Sequence, residues 1–432
     1  MSRPAGLILS VFFFFISLIV LSQNDDRSLN VNPVFPGLKG FGLDTKGGQG
    51  GRIIRVTNLN RDGPGSLNDA IKAAGPRIVV FEIAGVIDLE GRSVGILNPY
   101  ITIAGHTAPS PGITLIRGGI NIGAHEVIIQ HIKVRPGEAE KKKRSGWDVD
   151  GISTFEGSYN VIIDHCSISW STDENLSASG PQFNGDNLSE WRKNTSHNIV
   201  FSNCIIAEAL NNSTHSIGEH SKGTLIHDNV TGVLIYRNLY ASNVERNPLF
   251  SGGSEGLVIN NYIYNPGYAA IHFIFSKSEW KGRNLVPGRM GVEGNFVECG
   301  PDSRGNISTG AFHGPVEVYW KDNRIRGGPQ VKEISGEYTT LFKRPFFPEG
   351  LLVIPSYKVK ETILANAGAF PWDRDETDRR IIENSRQGTN TIINSENEAG
   401  GYPVIEPVIR KFNLEEWDLE RMIQKSNLPN VQ

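Results

Sequence analysis

The residues of this chain best suited to chemistry are carboxylates in two short groups. Asp148 and Asp150 flank Val149, and Asp173 and Glu174 follow Trp170-Ser171-Thr172. Side chains alternate faces along a strand, so Asp148 and Asp150 would project to one side of it. Hard oxygen ligands clustered without cysteine or histidine favour Ca²⁺ over a softer metal. The competing reading is a set of solvated loop carboxylates. Only a fold that brings the two groups onto one surface separates these readings. Asp164-His165 is a further acidic motif, but it ends an apolar strand, as His131 does. The sequence assigns it to structure, with His165 continuing a polar row and Asp164 holding local backbone.

The elements that must position these groups show a loose internal repeat. Val127-Ile128-Ile129-Gln130-His131 is followed by Val161-Ile162-Ile163-Asp164-His165 and by Ile199-Val200-Phe201-Ser202-Asn203. Val233 to Asn238, Leu257 to Asn261, Asn295 and Asn323 continue the series. Aligned on the polar residue that ends each apolar run, the positions are His131, His165, Asn203, Asn238, Asn261, Asn295 and Asn323. Their spacings are 34, 38, 35, 23, 34 and 28 residues. Stacked coils of short strands tolerate such irregularity, because strands must align while loops vary in length. Asn suits the corner, since it accepts left-handed backbone and its amide can bond the next Asn in a ladder. A β-sandwich would show turn signals every eight to twelve residues and no period in the thirties. An α/β fold would need amphipathic helices between the strands, and none is long enough. The expected fold is therefore all-β, a right-handed parallel β-helix.

Such a coil needs capped ends. Ser66 to Gly75 reads as a short N-terminal capping helix, with Ser66 as N-cap and Gly75 as stop, ahead of a first core strand at Ile78 to Ile83. Beyond about residue 340 the repeat fades. Tyr357 to Ala367, Glu376 to Arg386 and a segment opening at Asn413 read as short helices. The organisation expected is a catalytic β-helix over 23–345, with a C-terminal extension over 346–432 packed along it. Arg3 and the apolar run Leu7 to Leu21 read as a secretory signal peptide over 1–22, with an uncleaved anchor as the alternative. The protein is expected to be secreted, extracellular or periplasmic, and monomeric, with no membrane association once the leader is removed. Cys166, Cys204 and Cys299 are too few for a disulfide scaffold. Cys166 and Cys204 follow the corner residue of adjacent coils, so they should be core neighbours. A formal charge of -3 excludes the broad basic surface of a nucleic-acid binder.

The ordered landmarks resemble the pectate lyase family. Among them are Gly63-Pro64-Gly65-Ser66-Leu67, Ile163-Asp164-His165-Cys166-Ser167, Trp170 to Asn175, and Arg246-Asn247-Pro248. The resemblance runs over most of the chain after the leader. It implies cleavage of acidic polygalacturonate by calcium-assisted β-elimination. It makes Arg246 the catalytic residue and Asp150 and Asp173 calcium carboxylates, with Asp148 and Glu174 beside them. Arginine as a base conflicts with a pKa above 12, unless nearby cations depress it. The chain departs from the family pattern at three places. Ser177 stands where many relatives carry a further carboxylate, Ile217 where a lysine is usual, and Ser251 where some carry a second arginine. Lys222, His215 and His220 are the candidates to bind substrate in place of that lysine. A pectin lyase acting on methylated substrate, a polygalacturonase-like hydrolase and a non-catalytic β-helix adhesin or carbohydrate-binding protein are the alternatives.

Overall fold

The computed structural model describes residues 34–328, 330–419 and 422–425. The leader read at 1–22 lies outside them. Short strands wind around a coil and pair in parallel with their counterparts in the next coil. One face stacks Val127–Gln130, Tyr159–Asp164, His197–Ser202, Thr231–Tyr236 and Glu255–Ile259. The second stacks Ile132–Arg135, Ser167–Ser169, Ile205–Ala207, Leu239–Ala241 and Tyr262–Tyr264. The third stacks Ile152–Thr154, Glu174–Ala178, Lys222–Ile226, Leu249–Ser251 and Ile271–Ile274. The chain is thus a parallel β-helix.

The apolar runs are continuous because both sides of the first face are covered. Ile129, Ile163, Phe201 and Ile235 point into the coil interior. Their neighbours Ile128, Ile162, Val200 and Leu234 point outward and pack under Phe35, Leu43 and Leu351. The capping helix forms at Leu67–Lys72, where the Ser66 side chain accepts the Asp69 N–H at 3.2 Å. The first strand comes earlier than the sequence suggested. Arg52–Val56 precedes that helix and pairs with Arg77–Phe81. In the tail, helices form at Ser356–Asn366 and Glu376–Gln387, but Leu414–Glu416 is only a 3-10 turn.

The corner between the first and second faces differs from the expected single row. Ser202 pairs with Tyr236 and Ile205 with Leu239, so Asn203 lies level with Arg237, and Cys204 with Asn238. Two adjacent rows result. The outer row, His131, His165, Asn203, Arg237 and Asn260, turns the corner with φ between 47° and 58°. The inner row carries the ladder: Asn238 Nδ2 donates to Asn261 at 3.0 Å, Asn261 to Asn295 at 3.0 Å, and Asn295 to Asn323 at 2.8 Å. Asn203 therefore does not stack with Asn238. Its amide instead donates to Asp164 at 2.9 Å. Cys204 continues the inner row: its N–H donates to Asn238, and its sulfur accepts the Cys166 N–H at 3.4 Å. His165 stacks on His131 with ring centroids 5.1 Å apart, so the polar row read at these histidines is an aromatic stack.

The tail helices lie on the second face. Val359, Ile363, Ile381 and Ile382 pack against Ile205, Leu239, Tyr262 and Tyr264. Buried Arg135 donates to Asp375 and Asp378, each at 3.0 Å, and Ser167 donates to Asp378 at 2.6 Å.

Two outcomes follow. All three cysteines are free, so a thiol count on denatured, unreduced protein should return three; a count of one would reveal a bridge. Asn261→Ala should destabilise by about 3 kcal/mol, because several buried partners lose a hydrogen bond at once. Denaturant unfolding of this variant matching the parent would show that the ladder carries no stability.

Candidate functional site

The chain passes from the second face to the third through loops of unequal length: 136–151, 170–173, 208–221, 242–248 and 265–270. Every candidate residue sits on these loops or on the first residue after one. Register does the assembling. Ile152 pairs with Leu176, which sets Asp150 level with Glu174. Glu174 pairs with Lys222, and Lys222 bridges to Glu245. Successive coils thus present Asp150, Glu174, Lys222 and Glu245 in one row of alternating charge beyond the first pair. Beneath it runs a buried amide chain. Asn175 donates to Asn243 at 3.2 Å, and Asn243 to Asn247 at 3.1 Å, linking the Asp173 loop to the Arg246 loop. The backbones also approach closely. A Cβ on Gly223 would meet the Arg246 carbonyl oxygen at 2.5 Å, so only glycine fits there.

Carboxylate oxygens of Asp150, Asp173 and Glu174 lie within 4.8 Å of one another. Burial and the nearby Asp173 charge push Asp150 up to about 8, against the pull of Ser177 and Arg246. Ser177 donates to Asp150 at 2.6 Å, and the Glu174 N–H donates to it at 3.0 Å. Such crowding of hard oxygens is relieved by a divalent cation, and the set fits Ca²⁺. Asp173 is opposed by burial, yet a hydrogen bond from His220 holds it below the usual carboxylate range. Arg246 pairs with Glu174 across the group. Burial pulls its guanidinium below its ordinary value, while Asp173 and Asp150 pull the other way. Lys222 pairs with Glu245, and burial lowers its amine to about 8.

Asp148 is placed differently from Asp150. Residues 148–150 are not a strand, since the strand starts at Ile152, and the two carboxylates diverge. Asp148 accepts the Ser216 N–H at 3.0 Å and its hydroxyl at 2.7 Å, and lies 3.9 Å from His215 Nε2. His215 and His220 stack at 3.6 Å, and His220 Nε2 lies 2.8 Å from Asp173. With Asp173 they form a second close group. However, His215 Nδ1 accepts the Ile217 N–H, and His220 Nδ1 has no partner. Neither ring has the donated Nδ1–H that normally orients a metal-bound imidazole, so the pair is better suited to hydrogen bonding. Ile217 is 77% exposed and holds nothing, whereas Lys222 stands in the site. Ser251 is buried and donates to Asp228 at 2.7 Å, away from the carboxylate group.

Three features escaped the sequence reading. Glu245 directly precedes Arg246 and belongs to no motif of its own. Asn175, Asn243 and Asn247 share no period with the corner ladder. His272 is buried beside Arg246, and burial, with Arg246 and Lys222 adding, lowers it to about 3. Only the strand register, set by loop lengths, could have found them. From Arg246 a cleft of about 420 Å³ continues along the following coils.

No family model matches the chain. It is 33% identical over 390 residues to a probable pectate lyase C of Emericella nidulans, covering 87% of this chain and 81% of that one. It is 38% identical over 312 residues to a probable pectate lyase C of Aspergillus flavus, covering 71% and 64%. Among solved structures, a pectate lyase bound to a hexasaccharide superposes with a TM-score of 0.52 at 15% identity, over 77% of this chain and 97% of that one. The major allergen from cedar pollen gives 0.51 at 16% identity, over 76% and 92%. These two likenesses concern the fold.

Proposed function

This chain belongs to the pectate lyase family, and from that premise we propose that it cleaves α-1,4-linked polygalacturonate by calcium-assisted β-elimination. The observation that carries the reading is Arg246 facing Asp150, Asp173 and Glu174 across one corner of the coil. Arg246, once its own proton has passed to solvent water, accepts the proton from C5 of a galacturonate unit. That C–H electron pair becomes the C4–C5 double bond. The C4–O bond breaks, and its pair leaves on the departing sugar oxygen, which takes a proton from water. Burial already weakens the hold of Arg246 on its own proton, and its partner Glu174 has to release it. Asp150, Asp173 and Glu174 would hold Ca²⁺, whose charge would offset the carboxylate pull on Arg246 and make the C5 proton of a nearby uronate more acidic. Lys222 supplies positive charge beside the uronate, His220 fixes Asp173, and His215 Nε2 offers a donor to a sugar oxygen. The apolar leader supports secretion to where such a polymer occurs. No helix among the described residues is long and apolar enough to cross a membrane.

Polygalacturonate treated with the protein should gain the ultraviolet absorbance of an unsaturated uronate, lose that gain in excess chelator, and recover it with Ca²⁺. Hydrolysis without the absorbance would contradict elimination. Full activity in chelator would favour an enzyme of methylated pectin. Asp150→Asn should raise the calcium requirement. Ser177→Asp restores a third acidic side chain beside Asp150 and should lower that requirement about tenfold, because affinity follows ligand charge. An unchanged calcium requirement in both variants would remove Asp150 from the cation site.

A further inference from the structure

The loops 136–151 and 208–221 stand two coils apart, on either side of the short loop 170–173. They meet across it. The Arg144 N–H donates to the Ser213 carbonyl at 2.9 Å, and the Gly146 N–H to the Thr214 carbonyl at 3.0 Å. The hydroxyls of Thr172 and Thr214 both donate to the Trp147 carbonyl, at 2.6 and 2.7 Å. Long loops lose conformational entropy at every residue they order, so they need a further anchor near their bases. The tail beyond the helix Glu376–Gln387 provides one. Ile393 packs against Trp170 and Leu210, and its carbonyl accepts the Asn211 N–H at 2.9 Å. Asn394 reaches both long loops. Its Oδ1 accepts the Asn212 N–H at 3.0 Å, and its carbonyl accepts from Lys143 Nζ at 2.7 Å. Buried Glu396 accepts the Glu138 N–H at 3.0 Å. The Tyr402 hydroxyl accepts the Ala139 N–H at 3.1 Å and donates to the Pro136 carbonyl at 2.7 Å. A Cβ on Gly137 would clash with that hydroxyl, so the start of the loop is shaped to Tyr402. Tail groups thus satisfy loop amides that lie outside every strand.

We infer that residues 393–402 form a clasp that belongs to the candidate site: it fixes the loop carrying Asp150 against the loop carrying His220, and so sets how Asp150 and Asp173 are placed around a cation. Glu396 and Tyr402 hold the entry to the loop that ends at Asp150. Ile393 and Asn394 hold the entry to the loop from which His220 meets Asp173 at 2.8 Å. Asn394, Glu396 and Tyr402 act through these loops and are positioning residues. Their effect on affinity rests on the calcium reading of the carboxylate group, and it follows because a calcium site binds in proportion to its rigidity. The coil has its own core and amide ladder, so its strands do not depend on the clasp.

Hydrogen exchange on the intact protein without cation, paired with calorimetric titration by Ca²⁺ alone, tests this without requiring cleavage. Tyr402→Phe keeps the ring beside Trp170 but loses both hydrogen bonds at the loop entry. In this variant and in Asn394→Ala, amides of 136–151 and 208–221 should exchange about tenfold faster, while those of Tyr159–Asp164 keep the parent rate. Calcium affinity should fall by a similar factor. Glu396→Ala should behave likewise, and Glu396→Gln, whose amide oxygen still accepts the Glu138 N–H, should restore the parent values. Parent-like exchange in both loops overturns the clasp. So does faster exchange with unchanged calcium affinity, since the tail would then order the loops without setting the site. If the parent takes up no calcium, the calcium reading falls on its own, and exchange in the two loops with rescue by Glu396→Gln decides the clasp.

Discussion

Parallel strands about 4.8 Å apart stay stacked only if every coil turns its corners at the same height as its neighbours. In this chain that constraint is met at the first corner by two adjacent rows with different tasks. The outer row adopts left-handed backbone, and the inner row passes hydrogen bonds from Asn238 through Asn261 and Asn295 to Asn323. Cys204 and Cys166 extend the inner row where the amides end, with sulfur accepting an N–H as the amide oxygens do elsewhere. Because one corner is fixed so tightly, the opposite loops are free to differ in length without disturbing the stack.

The corner that carries the candidate site uses that freedom. Asp150, Asp173, His220, Lys222 and Arg246 come from four loops and one strand start, yet register alone sets the carboxylates and cations in consecutive coils. The amide chain Asn175–Asn243–Asn247 then locks the two loops that face each other, from below and out of contact with water. Arg246 is consequently held against three carboxylates by buried structure rather than by its own flexibility. On the second face Arg135 donates to Asp375 and Asp378, and Arg380 to Glu208, which ties the helix Glu376–Gln387 to the coil. Such buried charges contribute little net stability when paired, but breaking the set would cost several kcal/mol, on the order of 3–5.

The β-helix was legible because the apolar runs recur with a period in the thirties, and because both sides of each run are buried. The positions of the strands survived an alignment that slipped by one residue. Asn203 and Asn238 look alike in sequence, but left-handed backbone and ladder pairing both favour Asn, so residue type could not separate the rows. The acidic groups were legible as a pair of clusters. Their internal division was not, because Asp148 and Asp150 leave the strand pattern before Ile152 and turn to different partners. Glu245 and His272 were invisible for a plainer reason: a lone charge or imidazole gains meaning only from the coil beside it.

In the proposed elimination, Arg246 acts on the reacting proton and does not merely hold the substrate. Lysine at that position keeps the charge but loses the planar, multi-donor group and its reach. Steady-state kinetics of Arg246→Lys at saturating polygalacturonate and calcium test this most directly. The value of kcat should fall by about a hundredfold or more while KM stays close to the parent value. A preserved kcat with a raised KM would contradict it and make Arg246 a clamp for the uronate carboxylate.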